Sequence, residues 1–287
     1  MINEETLKYN LIRGLDIQYI DKDNQIINIK QPKIADIDES LLSYLTYTYI
    51  FRLQKEHLEF YDEISEKLNG KSLFESILIH EEYCKQKNDF NPMNSYIIKL
   101  ICSISFFLGI KDFKKIGFSK DRQSIEVYDF KENNGELYKV IIFKLDNNNF
   151  DEFAELIRTI TCSDILEVEK KMKKVLYSDP SVQKMYEDLL EQYKNNEEKT
   201  KEENNITISD VIGAICINEN SKYKYSDIKD LTIWQVFYQF NSMFTKENIE
   251  IIKSQFTSGN FSFDKTPDLN WLNKIKIKIP EDARITK

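Results

Sequence analysis

Apolar and polar residues alternate in short runs at the start of the chain. YNLIRG, LDIQYID and QIINIK, between Leu7 and Lys30, predict a small N-terminal β-element, with KDN as a turn between the last two runs. The period changes after Pro32. In KIADIDESLLSYLTYTYIFRLQ the apolar residues recur at three and four, which predicts a helix whose start is marked by Asp36 and Asp38. Helical spacing continues through LQKEHLEFYDEISEKL, SLFESILIHEEYCKQK and the stretch after Pro92, broken at Asn69-Gly70 and Asn91-Pro92. The most apolar run, Ile97 to Ile110, contains Lys99 and falls short of the roughly 20 residues a membrane helix needs, so it reads as a buried helix. FKKIGFS, SIEVYDF and ELYKVIIFKL then return to a β pattern, with Asn133-Asn134-Gly135 as a hairpin turn between two of the runs. Asn147 to Asn149 and Asp151 are placed to cap FDEFAELIRTI, and a second helix is expected from Ser163-Asp164 through LEVEKKMKKVL.

Beyond Pro180 an amphipathic segment, VQKMYEDLLEQYK, runs into the polar tract NNEEKTKEENN, which has no apolar face to pack. The boundary is placed there. It gives an N-terminal α+β domain over 1–191, a charged linker over 192–205 and a C-terminal helical domain over 206–287. In the last unit Ser209-Asp210 caps VIGAICIN, Asp227 to Asp230 precede LTIWQVFYQFNSMF, and TKENIEIIKSQF follows, with Gly259 as its C-cap. The predicted fold class is therefore α+β and mainly helical: an N-terminal β-hairpin element, a helical body with an inserted β-hairpin, and a small C-terminal helical unit. No repeat of solenoid period is evident.

With 287 residues and 41% apolar content, the chain is long enough to bury a sizeable core without a staple or metal. Forty basic against forty-eight acidic residues give a net charge of −8, which opposes the phosphate attraction on which nucleic-acid binding depends. The wealth of Ile, Lys, Asn, Tyr and Phe fits an AT-rich coding genome as well as any structural demand, so enrichment in these residues carries little weight. Cys84, Cys102, Cys162 and Cys216 lie far apart without a CxxC pair and read as reduced core thiols of a cytosolic protein. MINEETLKYNLIRG has no apolar signal-peptide core.

Candidate chemistry is sparse. His80-Glu81-Glu82-Tyr83-Cys84 approaches the HExxH zinc helix, with His and Cys four apart and a glutamate between them. A cysteine replaces the second histidine, however, and His57 is the chain's only other imidazole, so an ordinary helix with a half-buried histidine is the preferred reading. Asp21, Asp23 and Gln25 imitate the opening of a calcium loop, but Ile26 stands where glycine is needed and Pro32 where the bidentate glutamate is needed. A solvated turn is expected instead. The pairs Glu167 with Glu169 and Glu187 with Asp188 sit beside Lys170, Lys171 or Lys184 on charged helical faces, not in a setting that shifts a carboxylate pKa. Phosphate loops, dinucleotide fingerprints and nucleophile elbows are missing from the sequence, and no enzymatic activity and no cofactor are expected.

The aromatic stripe Trp234, Phe237, Tyr238, Phe240 and Phe244 recurs at helical spacing, so core packing is its default explanation. A small terminal unit with aromatics on more than one face also has a surplus that suits a partner surface. Near the end, KIKIK fits an edge strand protected by lysine better than an anion contact.

Two segments carry a resemblance. Pro32, Ile34, Asp36 and Ile37 form a P-x-I-x-D-I step between an N-terminal strand pair and a Tyr- and Leu-rich helix. The C-terminal block after the charged linker has Thr207, Ser209, Asp210 and Ile212, then Asp230, Leu231, Thr232, Ile233 and Trp234 with Phe237 and Tyr238, then Ser258, Gly259 and Trp271-Leu272. In this layout the chain resembles proteins of phage and prophage tail modules of low-GC Gram-positive bacteria, of the tail assembly chaperone kind. The match spans the last quarter and, more weakly, the first sixth of the chain. It implies a helper in the bacterial host cytoplasm that coats a coiled-coil tape-measure or a tail-tube protein during tail morphogenesis. It further implies partner contacts at Trp234, Phe237, Tyr238, Phe244 and Trp271, with neither nucleic acid nor membrane as partner. Homo-oligomers are compatible with it. A structural tail or baseplate subunit held in the virion is the alternative, and a metalloprotein built on His80 and Cys84 a third class.

Overall fold

The computed structural model describes residues 4–21, 25–38, 41–58, 62–87, 91–92, 94–133, 136–163, 208–218 and 223–258. The expected helices over 164–193, the 192–205 linker, the Gly259 cap, Trp271 and the KIKIK strand lie outside these residues.

The first element is a helix, α1 (Glu4–Arg13), where alternation had predicted the strand YNLIRG. Leu7 and Leu11 are both fully buried, and residues four apart share a face in a helix as they do in a strand. Tyr9 separates the two: a strand would set it beside them, yet it is 55% exposed. Gly14, at φ +64°, stops the helix, with Leu15 N–H donating to Asn10 O at 3.0 Å and Gly14 N–H to Leu11 O at 3.2 Å, a Schellman closure. The expected hairpin follows as β1 (Ile17–Ile20) and β2 (Ile26–Ile29), antiparallel, with Ile17, Tyr19, Ile27 and Ile29 turned inward. Asp21, itself buried, accepts the Gln25 N–H at 2.8 Å across the turn, whose residues 22–24 lie outside the described ones.

The run after Pro32 is helical over both of its described stretches. α2 (Ile34–Asp38) is a short helix whose start is tied to the C-terminal segment, whereas α3 (Leu41–Arg52) packs on the later helices that begin at Tyr96 and Phe150. α4 (Asp62–Leu68) and α5 (Leu73–Gln86) follow, separated at Asn69-Gly70. Ser72 and Glu75 form a reciprocal capping box: Glu75 N–H donates to Ser72 Oγ at 3.1 Å and Ser72 N–H to Glu75 Oε2 at 3.0 Å. Ser72→Ala is expected to cost about 1 kcal/mol, read as a lowered urea midpoint at unchanged slope. α6 (Tyr96–Leu108) is the apolar run; it buries Leu100, Ile104 and Phe107, leaves Ile98 partly exposed, and ends at Gly109 in a left-handed conformation.

The β-rich runs form one antiparallel sheet in the order β3 (Ile116–Phe118), β4 (Ile125–Asn133), β5 (Glu136–Leu145). Its base faces the core through Ile125, Val127, Phe143 and Leu145. α7 (Phe150–Thr161) then buries Phe150, Phe153, Leu156, Ile157 and Ile160 along one face. Asn149 precedes it, but its side chain turns back to the sheet: Oδ1 accepts the Asp146 N–H and Nδ2 donates to Lys144 O. Asn149 thus pins the sheet-to-helix corner instead of capping the helix by its side chain.

The main core joins the N-terminal hairpin, α3, α6, the sheet and α7. Tyr19, Phe143 and Phe153 meet at centroid distances of 5.6–6.1 Å, and Phe51 contacts Phe107, Phe150 and Phe153 at 5.7–6.3 Å. Most of these pairs are edge-on or tilted, as ring quadrupoles favour. A second core combines Ile34, Ile37 and Tyr44 with Val211, Ile215, Ile228, Ile233, Val236 and Phe237. The latter come from α8 (Ile208–Ile217), α9 (Tyr225–Ile228) and α10 (Ile233–Ser258). Ser209-Asp210 lie inside the first turn of α8 rather than before it, and LTIWQVFYQFNSMF and TKENIEIIKSQF belong to one 26-residue helix from Ile233 onward. Among the described residues, no helix is long and apolar enough to cross a membrane. The chain is a mainly helical α+β protein with the expected N-terminal hairpin and inserted sheet.

Candidate functional site

The two segments that carry the resemblance are stitched together by backbone bonds. Ile34 N–H donates to Leu231 O and Ala35 N–H to Lys229 O, both at 3.0 Å, while Ile233 N–H donates to Pro32 O at 2.9 Å. Lys33 and Thr232 pair as an isolated antiparallel bridge. Asp36 accepts the Lys33 N–H at 2.7 Å, which fixes the turn that presents this short edge. Proline at position 32 suits it, because only its carbonyl is used.

That junction launches α10. Thr232 and Gln235 cap it reciprocally, Gln235 N–H to Thr232 Oγ1 at 3.2 Å and Thr232 N–H to Gln235 Oε1 at 2.8 Å. Gln235 Nε2 also donates to Ile12 O, so the end of α1 holds the same turn. The first two turns of α10 face inward. Trp234 is 5% and Phe237 4% exposed, Trp234 in the main core and Phe237 in the second. Tyr238 is half-buried and stacks on Trp234 at 4.9 Å with 11° between planes.

Farther along, α10 turns apolar residues outward. Phe244 is 56% and Ile251 55% exposed, seven residues apart on one helical face, and Phe240 stacks on Phe244 at 6.1 Å. Ile217, at the end of α8, and Tyr225 are also exposed. Asn218 Nδ2 donates to Glu247 Oε1 at 2.7 Å and braces α8 against α10. Of the five residues the resemblance implied, Trp234 and Phe237 are packing residues beneath the surface, Tyr238 lies at its edge and Phe244 is on it; Trp271 is outside the described residues. Ile251 was missed. Its signal was the spacing of seven from Phe244, obscured because the segment was read as a separate helix.

The chemical candidates have ordinary surroundings. Cys84 Sγ lies 3.8 Å from His80 Nδ1, and His80 packs edge-on against Tyr96 at 5.1 Å. Burial pushes the His80 pKa down, with Glu81 opposing the shift. Among the described residues no three His, Cys, Asp or Glu side chains converge as a metal site. His57 is buried, and its Nδ1 accepts the Gln54 N–H. A cleft of about 290 Å³ beside α6 is lined by Lys30, Asp36, Tyr47, Cys102 and Lys111 among others; burial pushes the Cys102 thiol up, away from the reactive thiolate.

The family model described as YomV second domain matches residues 197–276, a stretch that contains α8, α9 and α10; YomV is a Bacillus phage or prophage-region protein. No curated protein and no solved structure matches the chain. The C-terminal part is thus similar to a domain from a phage region, and it is the part that carries the outward aromatic helix.

Proposed function

We propose that this is a phage-associated protein of the tail assembly chaperone kind, which binds the tape-measure or another tail protein in the host cytoplasm before assembly. The observation that carries the reading is the outer half of α10, where Phe244 and Ile251 sit seven residues apart with Phe240 alongside. A stripe of that period matches the seam of a coiled-coil helix, and helix-in-groove contacts of this type use such anchors. The similarity to a phage-region domain over residues 197–276 and the net charge of −8, unfavourable for nucleic acid, support the same reading.

The test is a tagged-protein pull-down from phage-producing cells at mid-assembly, read by mass spectrometry beside the proteome of purified particles. Recovery of a long coiled-coil tail protein, with this chain depleted from particles, is expected. The double variant Phe244→Asp/Ile251→Asp is expected to reduce that recovery at least about tenfold while stability changes by only about 0.5 kcal/mol, since both side chains are largely exposed. A fixed copy number inside particles would make it a structural tail subunit. Absence of any tail protein among the partners would discard the reading.

A further inference from the structure

Beyond Val127, which pairs with the end of β3, the β4–β5 hairpin continues as a two-stranded arm to the pair Asn133–Glu136. On the side of β5 away from β4, residues 136–142 make no backbone hydrogen bond among the described residues. Among the described residues this is an open edge.

One face of the arm is largely apolar, with Lys139 as its cation on β5 and Glu132 as its carboxylate on β4, toward the tip. Register sets Ile141 opposite Tyr128, Lys139 opposite Phe130 and Leu137 opposite Glu132, and directly opposed residues share a face. Lys139 Nζ lies 4.7 Å from the Tyr128 ring centroid and 6.0 Å from that of Phe130, which confirms the shared face. Leu137 is 73% exposed, and Ile141 and Phe130 are exposed with it. Lys139 forms no ion pair with a carboxylate among the described residues. Along the open edge the face therefore reads apolar, cationic, apolar at Leu137, Lys139 and Ile141.

We propose that the outer edge of β5 takes an extended segment of a partner protein as an added strand, with an acidic residue opposite Lys139 and apolar residues two positions to either side. Backbone bonding supplies the docking, and alternate side chains select the sequence. A second copy of this chain fits poorly. Glu136 is the sole carboxylate on β5 and lies three positions from Lys139, on the opposite face, so antiparallel pairing of two β5 strands never sets one against the other. Such pairing instead places Lys139 opposite Leu137, Ile141 or another Lys139. Where like charges are opposed, the pair is destabilised.

The experiment uses the full chain and two labelled synthetic peptides, Thr-Val-Thr-Glu-Thr-Val-Thr and its Lys-centred counterpart, read by fluorescence anisotropy. The Glu-centred peptide is expected to bind at least about fivefold more tightly, Lys139→Glu to reverse the preference, and Leu137→Glu to abolish binding. Thermal melting of each variant controls for folding, which these exposed positions leave intact. Equal affinity for both peptides, or binding of neither, overturns the proposal. Concentration-dependent self-association abolished by Leu137→Glu also overturns it, in favour of a second copy.

Discussion

Alanine at Trp234 is expected to destabilise the protein by about 3–5 kcal/mol and to lower its melting temperature by roughly 10 °C. The indole is 5% exposed, stacks on Tyr238 and belongs to the main core, while its neighbours Ile233, Val236 and Phe237 belong to the second. Its removal leaves a cavity where the two cores meet, and the backbone bonds of the Pro32–Ile34 and Leu231–Ile233 junction hold the walls apart, so collapse recovers little. Phe244→Ala, two turns and more along the same helix, should change stability by less than about 0.5 kcal/mol. Parallel urea titrations of the two variants check the contrast. If Trp234→Ala unfolds at the wild-type midpoint, the first turn of α10 does not belong to the core.

Ser95→Ala carries the second large effect, about 2–4 kcal/mol. Ser95 Oγ accepts the Ile98 N–H at 3.1 Å as the cap of α6 and donates to Glu81 Oε1 at 2.5 Å; both residues are buried. The cap is worth about 1 kcal/mol, and a buried carboxylate stripped of its donor adds about 1–3 kcal/mol. Lys85, 4.0 Å from Glu81 and half exposed, is a weak substitute. A double-mutant cycle with Glu81→Gln separates the two parts, because removing the charge first should recover the desolvation share and leave the cap loss. A cost below about 1 kcal/mol for Ser95→Ala would show that water reaches the carboxylate.

What was legible in the sequence was local. The N-terminal hairpin, the reversal between Asn133 and Glu136, the break at Asn69-Gly70 and the buried apolar helix each follow from residues within a few positions of one another. α1 was misread because Leu7 and Leu11 satisfy both periods, and only the exposure of Tyr9 decides between them. The continuity of α10 was hidden by Thr245-Lys246-Glu247, which looks like a helix start yet lies within the helix. The aromatic stripe was found, but its residues are chemically alike. Which of them face inward depends on a junction with Pro32–Ala35, about 200 positions away, and no periodicity reports that. The β arm was recognised as a hairpin, while the exposure of its apolar residues was not, since an alternating strand reads the same whether or not its greasy face is covered.

The second core has a consequence for synthesis on the ribosome. Ile34, Ile37 and Tyr44 are made early, but most of their apolar neighbours come from Val211 to Phe237. At about 5–20 residues per second, translation of the intervening stretch occupies on the order of ten seconds or more, during which that apolar surface lacks its native cover. Pairings so distant in sequence are also slow to close. The nascent chain is therefore open to capture by folding factors or by its neighbours on a polysome until α10 arrives, and conditions that slow elongation across the middle of the message should lower the soluble yield more than the stability of the finished protein would suggest.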